Sequence, residues 1–415
     1  MDDHLIMFSD TVSKSQEEIV TIEDIFNTYP HLKEIDLERG HEFTHSVRNG
    51  KKIPSLKFAT EEDAKEITQI FKEVYDKTYP YKKMESLSHV LSMIKDPNYY
   101  WIIFKIKPNI TVGCIGIHLD FEHKVANFFG FAFRKEFRQK VDISTASIAC
   151  MVAPVYKFRD RILIWCAEIR SSFSSIQYLA KSAGLLPIAF LPNKDIFFNH
   201  PESEILFAIY DSKVLFNYRS SKKPELISQA IFCYFHTFQK YSLELPTIKN
   251  YENIESELNS SEIAYKKTQL LKKVERDEFG TELITFSIKG TDSYFQFQYY
   301  KNIKIAEKTI FKVSTVEELQ MFLKEIKAFI ITSKLRYFET YLSAYNSEHQ
   351  ALFLNAGFKP TGYLPAFKYK RTRSDFEDQV VFVHHEKELD KLVDLIPETE
   401  EFLRTIKYYK ELQKK

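Results

Sequence analysis

The chain is short of glycine. Its ten glycines in 415 residues are about a third of the usual roughly 7%. No glycine-rich phosphate loop of the P-loop kind stands among them, which removes that whole class of nucleotide site. Cysteine is scarce as well. Cys114, Cys150, Cys166 and Cys233 form no CxxC pair and no ligand cluster. They read as reduced core residues of a reducing compartment, with no metal site implied. No apolar run approaches the roughly 18 residues of a membrane span. The acidic start MDDHLIMFSDTVSK lacks the basic flank of a signal peptide. Charge of one sign is missing too: 58 basic residues face 57 acidic ones, for a net +1. That argues against a general nucleic-acid or membrane surface, so any anion site must be local. The expectation is a cytoplasmic protein with neither of those partners.

What is present is a large apolar fraction, 44% of the chain. It suffices for sizeable cores and, by length, for two or three domains. Residues 1–54 read as a polar leader with one helix near 15–29. SLKFAT (55–60) is a strand. Thr60 then caps a helix whose apolar positions Ala64, Ile67, Ile70, Phe71, Val74 and Tyr75 recur at helical spacing. The loop KTYPYKK (77–83) and a short helix (85–94) follow. Three β-rich runs, 99–106, 110–121 and 125–133, read as hairpin-linked strands. A basic turn leads into a helix from about 144 to 158. The nearly all-apolar ILIWCAEI (162–169) fits a strand covered on both faces. A helix closes at Gly184, and two strands complete the set at 186–191 and 204–211.

This order, with the strand, basic turn and helix at Phe128–Ile148 and the strand, helix and glycine of LIWCAEIRSSFSSIQYLAKSAGL, resembles the GNAT superfamily of acyl-CoA-dependent N-acyltransferases. The resemblance covers residues 55–215. It implies an α/β (α+β) fold with a mixed, mostly antiparallel sheet flanked by helices, acetyl-CoA as cosubstrate and a small-molecule amine as acceptor. VYDKTYPY (74–81) is also similar to a stretch in beta-lysine acetyltransferases.

In that superfamily the turn after the fourth strand reads Q/R-x-x-G-x-G/A, and its amides hold the CoA pyrophosphate at a helix start. The matching stretch here is Arg138-Gln139-Lys140-Val141-Asp142-Ile143. The arginine is kept and both glycines are replaced, by Val141 and Ile143. Asp142 either opposes phosphate or caps the helix. Phe133, Arg134 and Lys135 lead into the turn, and Arg134, Lys135, Arg138 and Lys140 bring cations to it, three of which can reach one anion. Gln177 stands where the family often has an asparagine on the cofactor. The resemblance implies a glutamate base on the fourth strand, where Asn127 stands. It also implies a tyrosine four residues before the helix-ending glycine, where Ala180 stands. Substitutes are Glu168, an acid in an apolar strand whose burial would raise its pKa, and Tyr178, two residues early on the right helix. Tyr75, Tyr79 and Tyr81 lie near the family's acceptor loop. Packing or ion-pair roles compete for each of these side chains.

A helix at 225–241 and a polar stretch, 248–262, separate this unit from a second one. There the strands fall at 281–288, 293–301, 307–313, 337–345, 362–367 and 378–384, with helices at 316–334 and 346–358. Gln177–Gly184 and Gln350–Gly357 share the ending Q-x5-AG, each followed by a strand that reaches Leu-Pro. The organisation expected is a leader (1–54), an acyl-CoA domain (55–222), a linker helix (223–254) and a degenerate GNAT-like domain (255–415). The second unit lacks an arginine-rich turn, and KYKRTR (368–373) reads as a hairpin loop. Two functions remain open: an N-acetyltransferase acting on a primary amine, and a non-catalytic GNAT-like binding module.

Overall fold

The computed structural model describes residues 19–413 apart from 44–46, 49, 108–109, 253, 255–258, 387 and 392. Fourteen strands form one mixed sheet. In chain order they are β1 (Ser55–Phe58), β2 (Tyr99–Lys107), β3 (Ile110–Asp120), β4 (Val125–Phe133), β5 (Ile164–Arg170), β6 (Leu186–Phe197) and β7 (His200–Tyr210), then β8 (Leu270–Arg276), β9 (Thr281–Ile288), β10 (Tyr294–Tyr300), β11 (Ile305–Lys312), β12 (Tyr337–Ser343), β13 (Lys359–Lys370) and β14 (Asp375–His385). The spatial order is 8-9-10-11-12-14-13-6-7-5-4-3-2-1. Each half therefore runs 1-2-3-4-5-7-6 in its own numbering. In each, only the fourth and fifth strands pair in parallel. This is the mixed, mostly antiparallel arrangement that the GNAT resemblance implied.

The halves meet through their sixth strands, where Gly362 of β13 lies opposite Ala189 of β6. Each stands five positions after its helix-ending glycine, Gly357 or Gly184, so the pairing point sits on an approximate two-fold axis. A Cβ on Gly362 would lie 2.3 Å from that of Ala189, which is why glycine is needed there. The shared Leu-Pro marks a bulge in both strands, between Leu191 and Asp195 and between Leu364 and Lys368. Proline cannot donate to a ladder, and the bulge relieves it of the need.

The flanking helices that matter for the site are α1 (Ile22–Thr28), α2 (Ala64–Val74), α3 (Leu87–Lys95), α4 (Ile143–Phe158) and α5 (Ser174–Ser182) in the first half. Helix α4 is buried almost throughout, with Ala146, Ile148, Ala149, Cys150 and Val152 at 0% exposure. The first-half core takes in Ile22, Ile25, Tyr29, Leu32 and Leu37, so residues 19–37 pack as part of this half and are no detached leader. All four cysteines are buried and free.

The segment 225–241 is not one helix. Glu225 and Leu226 are extended beside Thr247 and Ile248, and α6 (Ile231–Tyr241) begins after them. Between the halves follow α7 (Ser260–Thr268) and, in the second half, α8 (Val316–Ser333) and α9 (Ser347–Asn355); α10 (Pro397–Thr405) lies in the tail. The two glutamines of the repeated motif explain how these segments are held. Gln350, 0% exposed, donates to Glu225 O (3.0 Å) and Ser343 O (3.1 Å) and accepts from Ile227 N (3.2 Å). Gln177, also 0% exposed, donates to Arg170 O (3.3 Å) and Asp394 O (3.1 Å) and accepts from Ile396 N (3.4 Å). The chain that leaves the first half thus straps the second, and the tail of the second straps the first. The tail is a packed element, with Phe402 and Leu403 at 0% exposure. No helix among the described residues is long and apolar enough to cross a membrane.

Candidate active site

Strands β4 and β5 pair only from Val125–Ile164 to Phe128–Ala167, and then part. The cause lies in β4. Its register with β3 slips between Cys114 and Gly116, and Gly130 takes φ +61, so a bulge re-aims the strand where it leaves its neighbour. A cleft of about 980 Å³ opens between the parted strands, within the range of cofactor sites. A small apolar recess of about 70 Å³ adjoins it, lined by Met151, Ile176, Leu179 and Ala180 among others.

The cleft wall holds Phe133, Lys135, Arg138, Val141, Asp142, Ile143, Glu168, Tyr178, Tyr75 and Tyr79 of the residues singled out in the sequence. Others point elsewhere. Arg134 is drawn to α2 by Glu66 (3.0 Å) and Glu73 (2.9 Å). Gln139 and Lys140 are exposed, the lysine 5.8 Å from the Phe137 ring. Gln177 is spent on the tail strap, so its role is structural where a cofactor contact was expected. Tyr81 donates to Asp195 (3.0 Å) and meets Tyr300 of the second half edge-on at 5.3 Å; it serves the junction rather than the cleft wall. Of the four cations of the turn, Lys135 and Arg138 remain, joined by Lys51, which pattern reading missed.

The turn itself is partly self-satisfied. Lys140 N and Val141 N bond to Phe137 O (2.9 and 3.2 Å), and Asp142 N bonds to Lys52 O (2.9 Å). Asp142 caps α4, accepting from Thr145 N (3.1 Å) and Thr145 Oγ1 (2.7 Å). A carboxylate thereby occupies the positive end of the helix. The amides of Ile143 and Ser144 have no backbone acceptor among the described residues, and both residues line the cleft. The residues present fit a diphosphate with fewer amides than glycine would allow, supplemented by Lys51, Lys135 and Arg138.

Behind the cleft floor lies a buried charge cluster. The β6 bulge sends Lys194, 1% exposed, into the junction of the halves. Its Nζ lies 2.8 Å from both oxygens of Glu168 and 3.4 Å from Glu307 and Glu339 of the second half. Burial alone would lower the lysine pKa, but Glu168, Glu339 and Glu307 hold it well above the ordinary value. Glu168 is not the buried acid the sequence suggested. Its side chain is 39% exposed to the cleft and paired behind with Lys194. Burial raises Asp195 and Glu339 to about 7. Arg170, bound to Glu202 through Nε (2.8 Å), is sandwiched by Phe173 (4.6 Å) and Phe197 (4.1 Å). Tyr75 packs on Tyr79 (4.6 Å) and Phe198 (5.9 Å), and burial pushes its hydroxyl up to about 12.

Besides Lys51, an acidic wall residue escaped sequence reading. Glu204 of β7, 5% exposed, lines the cleft beside these aromatics. The signal was available: it is an acid opening the apolar run EILFAIY, as Glu168 is an acid inside another.

Among the described residues of the second half, the corresponding place is filled. Strands β11 and β12 pair only at Ile305–Tyr337 and Ala306–Phe338, but Phe311 and Phe353 pack across the gap at 5.9 Å. The start of α8 is filled by Glu318, which accepts from Ser314 N (2.7 Å) and Lys266 Nζ (2.8 Å).

No family model and no curated protein matches the chain. Solved structures do align with it. A variant of the spermidine N-acetyltransferase of Vibrio cholerae is 14% identical, with a TM-score of 0.33 over 39% of this chain and 95% of that one. The Microcin C7 self-immunity acetyltransferase, solved with acetyl-CoA and AMP, is 12% identical, with a TM-score of 0.31 over 40% of this chain and 98% of that one. The ribosomal-protein-S5-alanine acetyltransferase of Vibrio fischeri is 12% identical, with a TM-score of 0.33 over 41% and 96%. Likeness at this level carries no inference about chemistry, which rests on the cleft.

Proposed function

We propose that this chain is an N-acyltransferase that moves an acetyl group from acetyl-CoA to the primary amine of a small molecule. The observation that carries the reading is the parting of β4 and β5 over a large cleft lined by Lys51, Lys135 and Arg138 and by Glu168 and Glu204. Lys51, Lys135, Arg138 and the amides of Ile143 and Ser144 would hold the diphosphate. The unpaired edge of β4 from Phe129 to Phe133 offers backbone groups to the arm that follows it. Bound there, acetyl-CoA supplies an activated acyl carbon. Tyr75, Tyr79, Phe197 and Phe198 form an aromatic wall for an amine, and the cleft would hold the partners in one geometry. The second half we read as a degenerate GNAT-like unit that shapes the first through Glu307, Glu339 and the straps. The buried free cysteines fit a cytoplasmic protein. A non-catalytic binding module is the competing reading, favoured by the Asp142 carboxylate at the helix start.

Thermal unfolding with acetyl-CoA separates the two. Ligand at about 100 times its Kd adds roughly 2.7 kcal/mol of stability. The gain should vanish in Lys135→Ala with Arg138→Ala. No gain in the native protein at millimolar acetyl-CoA would sink the acyltransferase reading.

A further inference from the structure

Six acidic side chains crowd the cleft floor and the junction behind it, and five are committed. Glu168, Glu307 and Glu339 share Lys194. Glu202 takes Arg170 and Ser172. Asp195 takes the Tyr81 hydroxyl. Glu204 alone has no hydrogen bond or ion pair among the described residues, although it is 5% exposed and lines the cleft. A buried carboxyl without a partner is destabilising and is normally removed unless it is used. The groups that face it are Glu168 and Arg170 from β5, Lys194 and Asp195 from β6, and Tyr75, Tyr79 and Tyr81 from the end of α2 and its loop. Burial first, then Asp195 and Glu168, hold its pKa well above the ordinary carboxyl value against Lys194 and Arg170.

We propose that Glu204 is the proton acceptor of the acyl transfer, taking the proton from the acceptor's ammonium in the cleft. This rests on the acyltransferase reading above. The Glu204 carboxylate removes one N–H proton and frees the nitrogen lone pair. A C–N bond then forms at the acyl carbon as its C–S bond breaks. The second N–H proton ends on the departing sulfur, and Glu204 returns its own proton to water. A raised pKa suits a base that works near neutrality. Glu168, saturated by Lys194, serves as a positioning residue beside it.

The test is Glu204→Gln, which keeps shape and removes the charge. With acetyl-CoA and 1,4-diaminobutane, L-lysine or tyramine as probes, kcat should fall about 10²–10⁴-fold, with KM for acetyl-CoA unchanged. Thermal unfolding supplies a second readout. A carboxyl raised on folding stabilises below its unfolded pKa and destabilises as pH rises. The variant should therefore unfold at a higher temperature than the native protein at pH 8, and the gap should close at pH 4.5. A carboxyl kept for structure would give the opposite sign. Unchanged kcat, or no stability gain at pH 8, overturns the assignment and leaves the acyltransferase reading standing; the unfolding arm decides even if no probe amine is acetylated. If acetyl-CoA neither shifts unfolding nor turns over in the native protein, that reading falls and takes this proposal with it.

Discussion

Lys194→Met tests whether the two halves are held by one buried cation. The ammonium is 1% exposed and faces three carboxylates at 2.8 to 3.4 Å. Methionine keeps the stem and removes the charge. Glu307 and Glu339, at 6% and 4% exposure, are then left desolvated without their partner. Breaking a buried ion pair on one side costs about 3–5 kcal/mol, a large share of the roughly 5–15 kcal/mol that holds a protein together. The sign of the pH effect follows from the groups. Lys194 holds Glu307 below its ordinary value against the burial that raises it, so that contribution is present above the unfolded pKa and lost on acidification. Without the lysine, burial raises both Glu307 and Glu339. The deficit of the variant should thus be largest at pH 7 to 8 and shrink toward pH 4, where the carboxyls carry protons. Urea unfolding of both proteins across that range measures it. A loss below about 1 kcal/mol at pH 7, or one that does not shrink on acidification, would refute the cluster as the clamp of the junction.

Asp142→Asn keeps the cap, since asparagine caps as well as aspartate, and removes a negative charge from the cleft. Acetyl-CoA should bind more tightly, by up to about tenfold if that charge opposes phosphate by roughly 1.4 kcal/mol, with Tm nearly unchanged; calorimetry reads the Kd. Gln350→Leu leaves Ile227 N buried without its partner and takes a donor from the half-buried Glu225 O and Ser343 O. Each unsatisfied group costs about 1–3 kcal/mol. Amide exchange should rise at Ile227 and along α6 before it rises in the first-half core.

The sequence made the sheet legible where its face was apolar. Nine of the thirteen strands read from the sequence lie within two residues of their observed bounds, and the Q-x5-AG repeat located both straps' anchors. Edges and turns were harder. Strand β8, LLKKVER, is exposed along most of its length, because lysine protects a free sheet edge and erases the alternation that marks a strand. The β6–β7 hairpin turns at Phe198 and Asn199 with φ of +51 and +66. Without glycine in the turn, the strands read as ending at 191 and starting at 204. KYKRTR was taken for a loop, although Lys368 to Lys370 continue β13. The site was legible in outline. The turn, Glu168 and the tyrosines were marked by residue type. Which cations face the cleft was not, because Glu66 and Glu73, more than sixty residues away in the sequence, decide where Arg134 points. Lys194 owes its setting to a bulge and to partners from the second half, and Glu204 to side chains of β5, β6 and the end of α2, which no local pattern carries.

The same position in the two halves accounts for their difference. Four residues before the helix-ending glycine stands Ala180 in one and Phe353 in the other. Ala180, 1% exposed, lines the apolar recess of the first half. Phe353, 0% exposed, fills the corresponding space against Phe311 and Phe358. Ala180→Phe should therefore carry the first cleft toward the state of the second. The added ring would fill this recess and crowd the space between β4 and β5, with an overpacking cost of about 1–3 kcal/mol where it presses on the walls. The protein should still fold, with its far-ultraviolet dichroism kept. The stabilisation by acetyl-CoA should disappear while that of Asp142→Asn alone persists. Ala180→Val, with less bulk, should retain part of it. A folded Ala180→Phe protein that keeps the full acetyl-CoA shift would mean that the ligand does not enter between the parted strands, and the anion end of the cleft would then be the whole of the binding site.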